Sequence, residues 1–143
     1  MKKIRKKLIL ALATTGLLFG SVVSSAQEKD VKKVAEDFVK SADIQDPELL
    51  ASVLFKDAKQ FVRFGPQILQ STADEYIEQI KEKKLGGNDR KIDFENVLLE
   101  GEDVAYVKLK AIGGGLTFSY QLTMFKFESD WKIVTITTKA WKS

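Results

Sequence analysis

The chain has 143 residues, and none of them is cysteine or histidine. Without cysteine there is no disulfide, no thiolate nucleophile and no lipid-modified N-terminal cysteine. Without histidine there is no imidazole to serve as a base near neutral pH. Proline occurs twice, at Pro47 and Pro66, and no linker rich in proline and glycine, internal repeat or low-complexity tract divides the chain. Metal-ligand spacings and nucleophile motifs are missing as well. The glycine run Gly113-Gly114-Gly115 has no helix start behind it, which excludes a phosphate-binding loop.

Only one stretch is long and apolar, Leu8 to Phe19. It follows the basic residues Lys2, Lys3, Arg5, Lys6 and Lys7 and precedes the small residues Ser24-Ser25-Ala26, the layout of a signal peptide over residues 1–26 with cleavage after Ala26. Thr14, Thr15 and Gly16 interrupt the run, and it falls short of the roughly 20 residues that span a bilayer, so no stable membrane anchor is expected after cleavage. The mature chain, residues 27–143, is then periplasmic or secreted. The leader carries five of the 23 basic residues and none of the 20 acidic ones, which leaves 18 against 20, a net charge of −2. The pI of about 9.0 belongs to the precursor and gives no reason to expect a nucleic-acid partner. The remaining length suits a single domain with one core.

From Asp30, apolar residues fall at Val31, Val34, Ala35, Phe38 and Val39, the stripe of an amphipathic helix that ends near Ala42. Asp46 followed by Pro47 is a cap and a first helical position, predicting a short helix to about Phe55. Gln60 to Phe64 reads as a strand broken by Gly65-Pro66. Ser71 and Thr72, with Asp74 and Glu75 three residues on from each, signal a capping box for a helix to Lys84 with Tyr76, Ile77 and Ile80 inward. After Arg90 the period becomes two. Lys91–Leu99, Val104–Ile112, Leu116–Phe127 and Trp131–Trp141 read as four consecutive antiparallel strands. Helices packed on one face of a curved antiparallel sheet make an α+β fold.

Three segments carry a family resemblance: VAEDFV (Val34 to Val39), LFKDA (Leu54 to Ala58) and LTMFKFESDWKIV (Leu122 to Val134). The chain resembles the NTF2-like superfamily, most closely the bacterial domains labelled putative lumazine-binding, over roughly Val31 to Trp141. The resemblance implies a cone between helices and sheet. It implies no single function, because the superfamily holds isomerases, dehydratases, cyclases and partner-binding subunits. Related domains often carry a histidine where this chain has Lys56, so a histidine-dependent dehydratase is not expected. Members resembling ketosteroid isomerase need an aspartate base and a tyrosine-centred oxyanion site. Phe38, the carboxylate-free strand Gln60 to Phe64, and Tyr120 in place of an acidic residue depart from that pattern.

No catalytic residue, metal ligand or cofactor is therefore assigned. Among Asp37, Asp43, Asp57, Asp93 and Asp103, the first two belong to the polar side of the first helix or lie just beyond it, where solvated positions are expected. Asp57 is read as a turn or capping residue, and Lys56 as a surface lysine. On the strand 116–127, Leu116, Phe118, Tyr120, Leu122 and Met124 share one face and Thr117, Ser119, Gln121 and Thr123 the other. The alternation slips at Phe125 and Phe127, which predicts a bulge or two-sided burial near Met124. Which face looks into the cone is left open by period alone. The aromatics are either core or the wall of a cavity lined by Phe38, Phe61, Tyr106, Phe118, Tyr120 and Trp141. The functional expectation is non-catalytic binding of a small, mostly apolar ligand in the cone. Its alternatives are an isomerase or lyase using an aspartate and tyrosines, and a homodimerising interaction module whose outer sheet face presents Thr123, Phe125, Phe127, Thr135 and Thr137.

Overall fold

The computed structural model describes residues 25–143, so all but the last two residues of the expected signal segment lie outside the described range. The first helix, α1, covers residues 25–43. Its stripe Val31, Ala35, Phe38, Val39 and Ala42 is buried, while Lys33 and Asp37, four apart on the polar side, pair at 2.7 Å. Gln45, with φ 55, ends α1 in a Schellman turn: the Asp46 amide donates to the Ser41 carbonyl and the Gln45 amide to Ala42. Asp46 then caps α2 (Pro47–Val53) by accepting from the Leu49 amide at 3.1 Å. This helix stops short of Phe55 because Leu54 is already extended and opens a strand.

Six strands form one curved, open, mixed sheet. They are β1 (Leu54–Phe64), β2 (Gln67–Thr72), β3 (Lys91–Glu100), β4 (Val104–Gly113), β5 (Leu116–Phe127) and β6 (Asp130–Lys142), in the order β2-β1-β6-β5-β4-β3. The α+β plan with helices against a curved sheet holds, with two corrections. β1 runs parallel to β6, so the sheet is not purely antiparallel. Gly65-Pro66 does not end the strand region but turns it into a hairpin, pairing Phe64 with Gln67. β3 to β6 otherwise match the four period-two runs to within one residue at each end.

Of the two capping signals, Thr72 is the one used. It caps α3 (Ala73–Lys81), and Thr72 and Glu75 form the reciprocal box. α3 ends at Lys81, three residues before the expected Lys84, and Lys83, with φ 59, follows it in a second Schellman turn where the Lys84 amide donates to the Gln79 carbonyl. The segment 82–90 then folds back onto the end of α1. There the Gly87 amide donates to the Ala42 carbonyl at 3.0 Å and Gln45 Nε2 to the Leu85 carbonyl at 3.0 Å. Gly86 has φ +84 and lies so close to the Ala42 carbonyl that no Cβ fits between them.

The faces of the sheet are now settled. Leu109, Leu122, Met124, Ile133 and Ile136 point to the helices and are fully buried. Each such side chain contributes about 1.5–3 kcal/mol of burial. The irregularity expected near Met124 is a bulge in β6: Thr123 pairs with Thr135 but Met124 with Ile133, leaving Val134 unopposed. In β5 itself the alternation continues past Met124, so Phe125 and Phe127 face outward, and Phe127 stacks on Phe55 with ring centres 5.2 Å apart.

Candidate functional site

The helices do not fill the concave side of the sheet. A cavity of about 410 Å³ remains where the end of α1, α3 and the segment 82–90 meet strands β1, β2, β5 and β6. Its apolar wall comes from Ala42, Val62, Leu69, Leu85, Leu116 and Phe118, its more buried polar groups from Gln60, Tyr76, Arg90, Tyr120 and Thr138, and Gln70, Ser71, Gln79, Lys84 and Asn88 add more exposed polar groups. Ligand pockets typically measure ~300–1,000 Å³ and combine an apolar lining with a few placed polar groups.

Arg90 organises the polar side. It stands just before β3, brought over the end of α1 by the folded-back segment. Its Nε donates to Asp43 Oδ1 at 2.6 Å, its backbone amide to Asp43 Oδ2 at 3.2 Å, and its Nη2 to the Val39 carbonyl at 3.3 Å. The remaining Nη1 donates to the Tyr120 hydroxyl at 2.8 Å. The guanidinium also lies over Phe118, 4.9 Å from the ring centre, and 5.7 Å from that of Tyr120. Burial works against the Arg90 charge, but Tyr120 and Asp43 outweigh it and raise its pKa. Burial likewise raises the pKa of Tyr120 despite the opposing pull of Arg90, and burial raises that of Tyr76. Both phenols are therefore neutral at physiological pH.

Behind this surface the aromatic rings interlock. Phe38 meets Tyr120 edge-on at 5.2 Å and Tyr76 edge-on at 6.1 Å, and Phe118 stacks on Tyr120 at 5.9 Å. Such contacts fix the phenol ring in place. Among the described residues three buried side-chain polar atoms find no protein partner: Gln60 Oε1 on β1 and Thr138 Oγ1 on β6, in residues 8% and 2% exposed, and Trp131 Nε1, which is not part of the cavity lining. Thr138 stands opposite Tyr120 in the β5–β6 pairing, and Gln60 projects from the neighbouring strand.

The six aromatics expected to line a cavity divide between the two faces. Phe118 and Tyr120 line it, and Phe38 lies directly behind Tyr120. Phe61, Tyr106 and Trp141 are corrections: they are 38%, 40% and 36% exposed and belong to the outer face. Their inward neighbours are Gln60 and Val62, Ala105 and Val107, and Ala140, and strand alternation puts the aromatics on the far side. Asp43 is a second correction, since its side chain is only 9% exposed and bound to Arg90 instead of solvated. Asp57, Asp93 and Asp103 are exposed, as is Lys56. Asp57 sits in the irregular start of β1 instead of a turn, because the strand already begins at Leu54. Arg90, Gln60 and Thr138 carried no local sequence signal.

Helices laid across the concave side of a curved, open sheet, with a ligand-sized space between them, define the NTF2-like class. The chain belongs to the family described as "Putative lumazine-binding", whose sequence profile matches residues 26–142. Similar solved structures include an NTF2-like protein of unknown function from Silicibacter pomeroyi (19% identity, 82% of this chain and 98% of that one, TM-score 0.74). Another such protein, from Shewanella baltica, shares 12% identity over 83% of this chain and 97% of that one, also with a TM-score of 0.74. A cystatin-like fold protein from Burkholderia xenovorans shares 13% identity over 81% and 92%, with a TM-score of 0.65. At these identities the likeness concerns the fold. Among curated proteins none matches the chain. Family and geometry together fit a ligand-binding role.

Proposed function

We propose that this protein is an exported, non-catalytic binder of a small, mostly apolar molecule, which it holds in the cavity between its helices and the sheet. Cleavage after Ala26 would release residues 27–143 as the working domain. The carrying observation is the cavity of about 410 Å³ itself, apolar over most of its wall and supplied with a few buried polar groups. The family description makes lumazine, a flat bicyclic dione, the first ligand to try.

The isomerase or lyase reading needs a carboxylate free to take a proton. No Asp or Glu is among the described residues that line the cavity, and Asp43 engages both its oxygens with Arg90. That arrangement supports binding over catalysis. Homodimerisation through the outer sheet face is compatible with binding, and exposed Tyr106, Phe125 and Trp141 support it. Sedimentation at micromolar concentration tests it.

The test of the cavity is a titration of the isotopically labelled protein with lumazine and, separately, with naphthalene, followed by amide shifts. Saturable changes centred on Leu69, Leu116, Phe118 and Thr138, abolished by the cavity-filling substitution Val62→Trp, are expected. No saturable change with either probe, or undiminished binding by the Val62→Trp protein, would overturn the reading.

A further inference from the structure

We propose that β2 is a pairing edge for a second copy of this chain, the two β2 strands running antiparallel about a two-fold axis at Leu69. The inference does not depend on what the cavity holds.

The two edges of the sheet are β2 and β3, and they differ in kind. β3 carries Lys91, Asp93, Glu95 and Glu100 and a register shift between Phe94 and Asn96, the charges and irregularity that keep an edge from pairing. β2 has no charged residue, no proline and an unbroken register against β1. It also displays Ile68 and Leu69, at 66% and 58% the two most exposed large apolar side chains among the described residues. Such an edge is an open template for another strand.

The hairpin turn determines which backbone groups are open. Gly65, with φ 59, followed by a proline that cannot take a positive φ, makes a two-residue turn of type II′, closed by hydrogen bonding between Phe64 and Gln67. Antiparallel pairs alternate, so Gln67, Leu69 and Ser71 direct their amides and carbonyls to β1 while Ile68, Gln70 and Thr72 direct theirs away. The Thr72 amide agrees with this phase, since it donates to Glu75 Oε1 at 3.2 Å. Ile68 and Gln70 remain, one on each side of Leu69.

That arrangement is complementary to itself. A two-fold axis at Leu69 sets Ile68 of each copy opposite Gln70 of the other, and each such pair exchanges both of its N–H···O bonds. Every outward amide and carbonyl of the two residues is then used. Leu69 meets its own counterpart at a non-hydrogen-bonded position, where side chains come closest. Because the strand is uncharged, no like charges are brought together. Leu69 also lines the cavity, so each cavity gains Leu69 of the second copy at its rim.

The chain lacks cysteine, which makes this register testable by crosslinking the purified protein. Leu69→Cys should give a disulfide-linked dimer on mild oxidation, because a non-hydrogen-bonded pair stands about 4.5 Å apart at Cα, within disulfide reach. Ile68→Cys should not, since its counterpart lies diagonally about 7–8 Å away. On sedimentation the parent protein should dimerise over the micromolar range, and the Ile68 and Gln70 amides should gain hydrogen-exchange protection as concentration rises. Gln70→Pro, which removes an outward amide and leaves the β1 ladder intact, should abolish the dimer. Leu69→Lys, which sets two like charges face to face on the axis, should abolish it as well. A protein that stays monomeric, equal crosslinking of the two cysteine variants, or no crosslinking of Leu69→Cys would overturn the inference. A dimer that survives Gln70→Pro and Leu69→Lys but is lost in Phe125→Lys would also overturn it, and would place the contact on the outer sheet face.

Discussion

Arg90 and Asp43, 47 positions apart in the chain, close on each other at 2.6 Å with side chains only 6% and 9% exposed. The pair joins the end of α1 to the approach to β3, and its free edge holds Tyr120. Cavity and core therefore share one polar joint.

Removing half of that joint leaves a buried charge without its partner. Asp43→Ala is expected to cost about 3–5 kcal/mol in urea denaturation. The double substitution Asp43→Ala with Arg90→Met should cost less than the sum of the two singles, because the stranded charge is then gone. Strict additivity of the two losses would show that the contact carries no coupling.

The three tyrosines should separate on alkaline titration. Tyr76 and Tyr120 have raised pKa values in the folded state, chiefly from burial, whereas Tyr106 is raised by the neighbouring Glu100 carboxylate and stands exposed. In the unfolded chain a tyrosine ionises near its ordinary value of about 10. A raised folded pKa keeps the proton in the folded state while the unfolded state loses it, so stability is intact below about pH 10 and declines above it. Phenolate absorbance should show Tyr106 ionising alone and the other two only as the protein unfolds. Simultaneous titration of all three with the fold intact would contradict the burial.

Phe38 is 1% exposed and touches both inward tyrosines. Phe38→Ala is expected to lose about 3–5 kcal/mol, the range for a large ring removed from a packed core. Tyr106→Ser, on the outer face, should stay within about 0.5 kcal/mol of the parent. Guanidinium denaturation midpoints measured side by side decide whether the two faces differ in this way.

Gly86 holds the rim of the cavity against α1. Gly86→Ala would place a methyl group into the Ala42 carbonyl at a positive φ, with an expected cost of about 1–3 kcal/mol from the backbone conformation alone. The segment 82–90 must shift to relieve the contact, so the Gly87 and Arg90 amides should lose hydrogen-exchange protection. Unchanged protection at both amides would show that the loop is not held by that approach.

Where local pattern dictates structure, the sequence was readable. The stripe of α1, the Asp46 and Thr72 caps and the four strands after Arg90 all follow from spacing and turn chemistry. β2 was not, because Gln67 to Thr72 is almost entirely exposed and shows no alternation. The parallel pairing of β1 with β6 joins residues some 75 positions apart, and no local signal encodes it. In the site, Phe118 and Tyr120 followed from the period of β5. Phe61 was misplaced because its inward neighbour is Gln60, a polar residue that the usual pattern would turn to solvent. Arg90 and Asp43 look like ordinary surface charges until the segment 82–90 folds them together.

The position of β6 bears on how the chain reaches its native state. The last strand lies in the middle of the sheet, between β1 and β5, so without it β1 and β2 are a hairpin detached from the other three strands. A nascent chain cannot complete its core until residues near 142 are free of the ribosome. Folding must wait for β6, and the dominance of distant pairings makes it a slow step. Until then the apolar faces of β4 and β5 stay uncovered, leaving the incomplete chain dependent on whatever shields it.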